Sequence, residues 1–136
     1  MSENPVNYKY TKDHEWLSVD GSTATIGITD HAQHSLGDVV YVELPKIGTS
    51  FQATEPFGSV ESVKAVSEIF TPVAGTVTEI NKSLEDGPEI VNTDPYNDGW
   101  MIKIKLDNNP QLGSLLTAAE YEEFIAGEAG EAGEDS

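Results

Sequence analysis

Residues 57–77, FGSVESVKAVSEIFTPVAGTV, constrain the fold more than any other stretch. Two runs rich in β-branched residues, 59–63 and 66–71, flank a single lysine, Lys64. Such runs read as strands. Too little chain separates them for anything but a hairpin, so Lys64 is expected at its tip. The tip holds no Gly, Asn or Pro, which argues against the primed turns that need positive φ. A type I turn over Val63-Lys64-Ala65-Val66 needs only negative φ. In that register Val60 faces Ile69, Ser62 faces Ser67 and Glu61 faces Glu68. Like charges directly opposite cost stability. Glu61 and Glu68 are therefore candidates for recognition.

The rest of the chain reads as short strands between turns. Asp20-Gly21 joins two alternating runs and marks a tight type I′ hairpin. Thr29-Asp30 caps a short helix over residues 31–36, with Gly37 as its stop. Residues 39–44 form a strand, with Val40, Val42 and Leu44 on one face and Tyr41 and Glu43 on the other. In residues 100–106, Trp100, Ile102, Ile104 and Leu106 are expected inside, and Met101, Lys103 and Lys105 outside. Asp86-Gly87-Pro88 and Asp94-Pro95 rule out a long helix between these strands. Thr117 and Glu120 make a capping box, and Leu116 with Tyr121 a hydrophobic staple. Tyr121, Phe124 and Ile125 form a one-sided stripe that docks a terminal helix on the sheet. The end, GEAGEAGEDS, has no core-forming residue and is expected to be disordered. Seven or eight strands and one helix imply an all-β domain over residues 1–126, a small sandwich or flattened barrel, with an acidic tail at 127–136.

Charge narrows the function. The chain holds 24 acids, seven lysines and no arginine, a net −17. The 20 acids before the tail still leave −13. Nucleic acid and anionic membrane are therefore unsuitable partners. The charge serves either solubility or steering toward basic proteins. No apolar run is long enough to span a membrane, and the first ten residues resemble neither a signal nor a transit peptide. For a complete chain, that places the protein in a bacterial-type cytoplasm. There is no cysteine, so dithiol chemistry would have to come from an attached group. His31 and His34 lie at i, i+3 and share a helix face, but a metal site needs further ligands, and none is expected. No nucleophile–base set or phosphate loop stands out, so no catalytic residue is expected and the chain does not read as an enzyme.

The string VESVKAVSEIFTPVAGTV resembles the lipoyl-attachment hairpin of the H protein of the glycine cleavage system. Segments YTKDHEWLSVDG, ATIGITDHAQHSLGDVVYVELPKIG and EIVNTDPYNDGWMIKIK are similar to that family too, so the resemblance covers roughly residues 8–125. Pro72, Gly75 and Val77 supply a PxxGxV shared with lipoyl and biotinyl carriers. Biotin carriers would call for Met on both sides of the lysine, where Val63 and Ala65 stand. The lipoyl domains of 2-oxo acid dehydrogenases usually have Asp at the position of Val63. Glu68 stands where the family more often has Asp.

The resemblance implies a barrel-sandwich of two antiparallel sheets, with a lipoyl-carrier domain at 1–126. It implies lipoic acid in amide linkage to Lys64, attached by a lipoate ligase or lipoyltransferase. It implies an aminomethyl group carried from a pyridoxal-phosphate glycine decarboxylase to a tetrahydrofolate-dependent aminomethyltransferase, then reoxidation by dihydrolipoyl dehydrogenase. Asp13, Glu15 or Glu68 would hold the cationic end of the loaded arm. Two other readings stay open: a relay donating lipoate to other carriers, and a β interaction domain whose Lys64 is never modified.

Overall fold

The computed structural model describes residues 8–106 and 115–132. Strands dominate it because β-branched residues alternate with polar ones between turn residues. They are β1 (Lys9–Tyr10), β2 (Glu15–Asp20), β3 (Thr23–Ile28), β4 (Val39–Glu43), β5 (Ser50–Phe51), β6 (Pro56–Ser62), β7 (Val66–Phe70), β8 (Gly75–Ile80) and β9 (Ile102–Leu106). The helices are α1 (Asp30–Leu36), α2 (Ser83–Asp86), α3 (Ile90–Thr93) and α4 (Ala118–Ala132). One sheet runs β1-β2-β3-β9-β8-β5 and the other β4-β6-β7, with every pairing antiparallel. This is the expected all-β barrel-sandwich. Its core lies between the sheets, where Ile26, Val42, Val60, Val77, Ile102 and Ile104 are all buried.

Thr29 caps α1, its hydroxyl accepting from the Ala32 amide, and Gly37 ends it at φ 83°. The capping box forms as read: the Glu120 amide donates to Thr117 Oγ1 and the Thr117 amide to Glu120 Oε1. Tyr121 is buried in a second cluster with Tyr10, Trp16 and Leu116, and its ring stacks on Tyr10 at 4.9 Å. That cluster docks α4 against β1.

Four local readings are corrected. The β2–β3 turn is centred on Gly21-Ser22, since Asp20 pairs with Thr23, and only Gly21 takes positive φ. That is the type II′ pattern rather than I′. In β4 a bulge between Val39 and Tyr41 breaks the alternation, so Val39 and Val42 are buried and Val40 is exposed. Met101 is fully buried, its amide bonded to Ile26 O, while Trp100 is only half-buried. Helix α4 runs on to Ala132, so the first part of the expected tail is helical; Ala and Glu extend a helix readily. Residues 133–136 lie outside the described residues.

The lysine turn and the acidic cavity

Lys64 stands at the hairpin tip, but the turn sits one residue earlier than expected, so each partner on β7 shifts by two. Ser59 pairs with Glu68, Val60 with Ser67 and Glu61 with Val66. Glu61 and Glu68 are therefore diagonal neighbours, not opposite ones. Ser62 sets the register. Its amide donates to Ala65 O at 2.7 Å, and its Oγ accepts from the Lys64 and Ala65 amides at 3.3 and 3.1 Å. A serine side chain thus closes a turn centred on Val63-Lys64, as hydroxyls do in turns of this kind. Neither central residue has positive φ.

The turn is also held from outside the hairpin. The Val63 amide donates to Asp38 O at 3.0 Å. The Lys64 stem crosses Gly37, with Cε 3.5 Å from where a Cβ on residue 37 would stand. Lys64 itself is exposed, and among the described residues no ion pair holds its ammonium.

The four acids named from the sequence fall into two places. Glu61 and Glu68 are exposed on the outward face of the three-stranded sheet. That face also shows Tyr41 and Val66, 53% and 66% exposed. Glu43 joins them, taking a weak bond from Ser59 Oγ at 3.4 Å. Glu43, Leu44, Phe57, Val66 and Glu68 line a shallow groove there.

Asp13 and Glu15 belong to a separate cavity of about 200 Å³ at the far end of β7 from Lys64. Thr11, Thr54, Phe70 and Leu116 line it as well. His14, between the two acids, and Thr54 both hold φ of 70°, a region unfavourable to side chains with a Cβ. Glu15 is buried, and its carboxylate ties the two sheets together. Oε2 accepts from the Phe70 amide at 2.9 Å and Oε1 from Thr11 Oγ1 at 3.0 Å. Loss of hydration pushes its pKa up to about 7, the two hydrogen bonds opposing the shift only in part.

The pH dependence follows. A folded pKa above the unfolded value means that the native state binds the extra proton. Its stabilising contribution is complete below about pH 4.5 and is lost as pH rises through 7. The expected loss is roughly 3 kcal/mol for this group. In Glu15→Gln the pH slope of thermal stability between 4.5 and 7 should flatten. The test is the slope and not the height. In the variant the amide oxygen can keep the Phe70 N–H, but its NH2 then competes for Thr11 Oγ1 with the Asp13 and Glu15 amides, so the height shifts as well.

His31 and His34 do not share a site. The His31 ring lies against His14, tilted by 36° with centroids 4.6 Å apart, while His34 turns back to Asp30 at 3.3 Å. Among the described residues no group of three or more His, Asp or Glu is placed to hold a metal ion. Among those residues, no helix is long and apolar enough to cross a membrane. Sequence reasoning took Gly37 only as a helix stop and passed over Asp38, whose carbonyl takes the Val63 amide; a backbone contact leaves no signal in the sequence.

The fold and the site define a class by shape: a two-sheet barrel-sandwich that displays a lysine on a closed hairpin turn. A family model described as glycine cleavage H-protein matches residues 8–128. The glycine cleavage system H protein of Herpetosiphon aurantiacus is 56% identical over 129 residues, covering 95% of this chain and 98% of that one. That of Koribacter versatilis is 57% identical over 126 residues, covering 93% and 97%. The crystal structure of a glycine cleavage system H protein from Mycobacterium marinum superimposes with a TM-score of 0.81 at 38% identity, over 93% of this chain and 99% of that one. The chain belongs to the glycine cleavage H-protein family.

Proposed function

We propose that the chain is a lipoylated carrier. Lipoic acid is joined in amide linkage to Lys64 by a lipoate ligase or lipoyltransferase. The arm takes the aminomethyl group of glycine at glycine decarboxylase, presents it to the aminomethyltransferase, and is reoxidised by dihydrolipoyl dehydrogenase. The protein works in the cytoplasm and needs no active site of its own. The observation that carries this reading is the exposed Lys64 on a turn tied by Ser62 and Asp38, in a member of the H-protein family. With a long acyl group attached, the dithiol comes from the cofactor, as a chain without cysteine requires.

The acids have different parts in this proposal. Asp13 and Glu15 line the cavity that receives the cationic end of the loaded arm. A cation entering there favours the ionised form of Glu15. Glu61 and Glu68 lie on the outward face, where a basic partner meets them. The cofactor assignment is tested by the intact mass of protein made with a working lipoylation system; the shuttle is tested by glycine decarboxylation in a reconstituted system. A lipoylated protein inactive in that assay but able to supply lipoate to other carriers would favour the relay. An unmodified Lys64 would favour the interaction domain.

Glu61→Gln and Glu68→Gln should change the melting temperature little, because the two residues are diagonal neighbours in water. Their association with partner enzymes should slow about two- to fivefold at low salt, and added salt should erase the difference. Stopped-flow association rates across a salt series check both points. Rates equal to wild type at every salt concentration would remove the steering role.

A further inference from the structure

The lysine turn leans on a corner outside its own hairpin, and one side chain holds that corner. Asn92, half-buried in α3, reaches across to the loop between α1 and β4. Its Oδ1 accepts from the Val39 amide at 2.8 Å. Its Nδ2 donates to Gly37 O and to Gln33 Oε1, both at 2.9 Å. Asn92 thus bonds the residues on either side of Asp38. Asp38 O takes the Val63 amide, and Gly37 carries the Lys64 stem. Within the hairpin, Ser62 secures the two-residue tip.

We infer that Asn92 is a positioning residue for acylation of Lys64. Through Gly37, Asp38 and Val39 it holds Val63-Lys64 in the orientation that the acylating enzyme requires. This rests on the lipoyl-carrier reading. The acylation forms an amide between Lys64 Nζ and an activated carboxyl group; the activating group leaves, and the amine gives up a proton. Asn92 touches none of the reacting atoms.

Two variants of the full chain separate positioning from plain stability. Asn92→Asp keeps the acceptor for Val39 and loses both donors. Asn92→Ala loses all three bonds and serves if the charge in the aspartate variant unfolds the chain, and the reverse. The first readout is amide hydrogen exchange by NMR. Val63 exchange should accelerate about five- to tenfold, the factor one lost hydrogen bond carries. Ser62, bonded within the hairpin, should exchange at its wild-type rate. The second readout is the kinetics of lipoylation by a lipoate ligase with lipoate and ATP, followed by intact mass. A misplaced lysine lowers kcat at saturating carrier. A partly unfolded carrier only lowers the concentration of competent substrate, which raises the apparent KM and leaves kcat unchanged.

Support is a fall of about fivefold or more in kcat, with Val63 alone deprotected. The inference is overturned if Val63 exchange is unchanged, if Val63 and Ser62 accelerate together, or if kcat holds while Val63 is freed. Failure of the wild type to accept lipoate would sink the carrier reading instead, and would leave the exchange result standing.

Discussion

Lys64→Arg should abolish carrier function completely while leaving the fold intact. Arginine keeps the charge but has no primary amine to acylate. The side chain is exposed at a turn and among the described residues makes no ion pair, so little packing depends on it. The melting temperature should stay within about a degree, as expected for a surface substitution away from special features. Exposed to a lipoylating enzyme, the wild type should gain one lipoyl mass and the variant none. The six other lysines should stay unmodified in both. Peptide mapping decides: lipoyl on any other lysine, or biotin on Lys64, defeats the assignment.

The largest effect on stability should come from Gly58→Ala. Gly58 sits in β6 beside the bulge between Pro56 and Gly58, where the backbone of β4 passes very close. A Cβ there would penetrate the Glu43 carbonyl oxygen. The oxygen belongs to the backbone and a Cβ has no rotamers, so no side-chain rotation relieves the clash, and the β4–β6 pairing must open. The expected cost is roughly 3 kcal/mol or more. That corresponds to about 10 °C in melting temperature for a domain of this size. Gly127→Ala is the control. Its Cβ meets nothing within 4 Å on α4, and the exchange should stabilise by about half a kcal/mol. A Gly58 variant as stable as wild type would mean that β4 shifts freely. The edge of the outward face would then be softer than the pairing suggests.

The architecture and the placement of Lys64 were legible in the sequence for one reason. Both follow from short-range pattern: alternation, turn residues, and a lone lysine between two β-branched runs. The register was not legible, because a cross-strand reading treats Ser62 as one more strand residue. Its hydroxyl bonds two turn amides instead, and the whole pairing moves with it. The bulge at β4 defeated the alternation rule in the same way. The division of the four acids was beyond pattern altogether. Glu15 meets Phe70 across 55 residues of chain, a contact that only the packing of two sheets creates. Nothing local distinguishes its carboxylate from that of Glu61, yet one is buried between sheets and the other is in water.

The fixed turn bears on how an attached arm searches space. The Ser62 hydroxyl ties the amides of Lys64 and of Ala65 after it, and the Asp38 carbonyl ties the amide of Val63 before it. Rotation is thereby confined to the side-chain bonds, and the arm has a stationary pivot. A pivot on a mobile loop would add its own wandering to the radius swept by the arm's end. The volume explored grows as the cube of that radius, and local concentration falls in proportion. A still pivot keeps the end dense within one shell around the tip. On the lipoyl-carrier proposal, an enzyme entrance docked inside that shell would meet the carried group at high effective concentration, with orientation already partly decided.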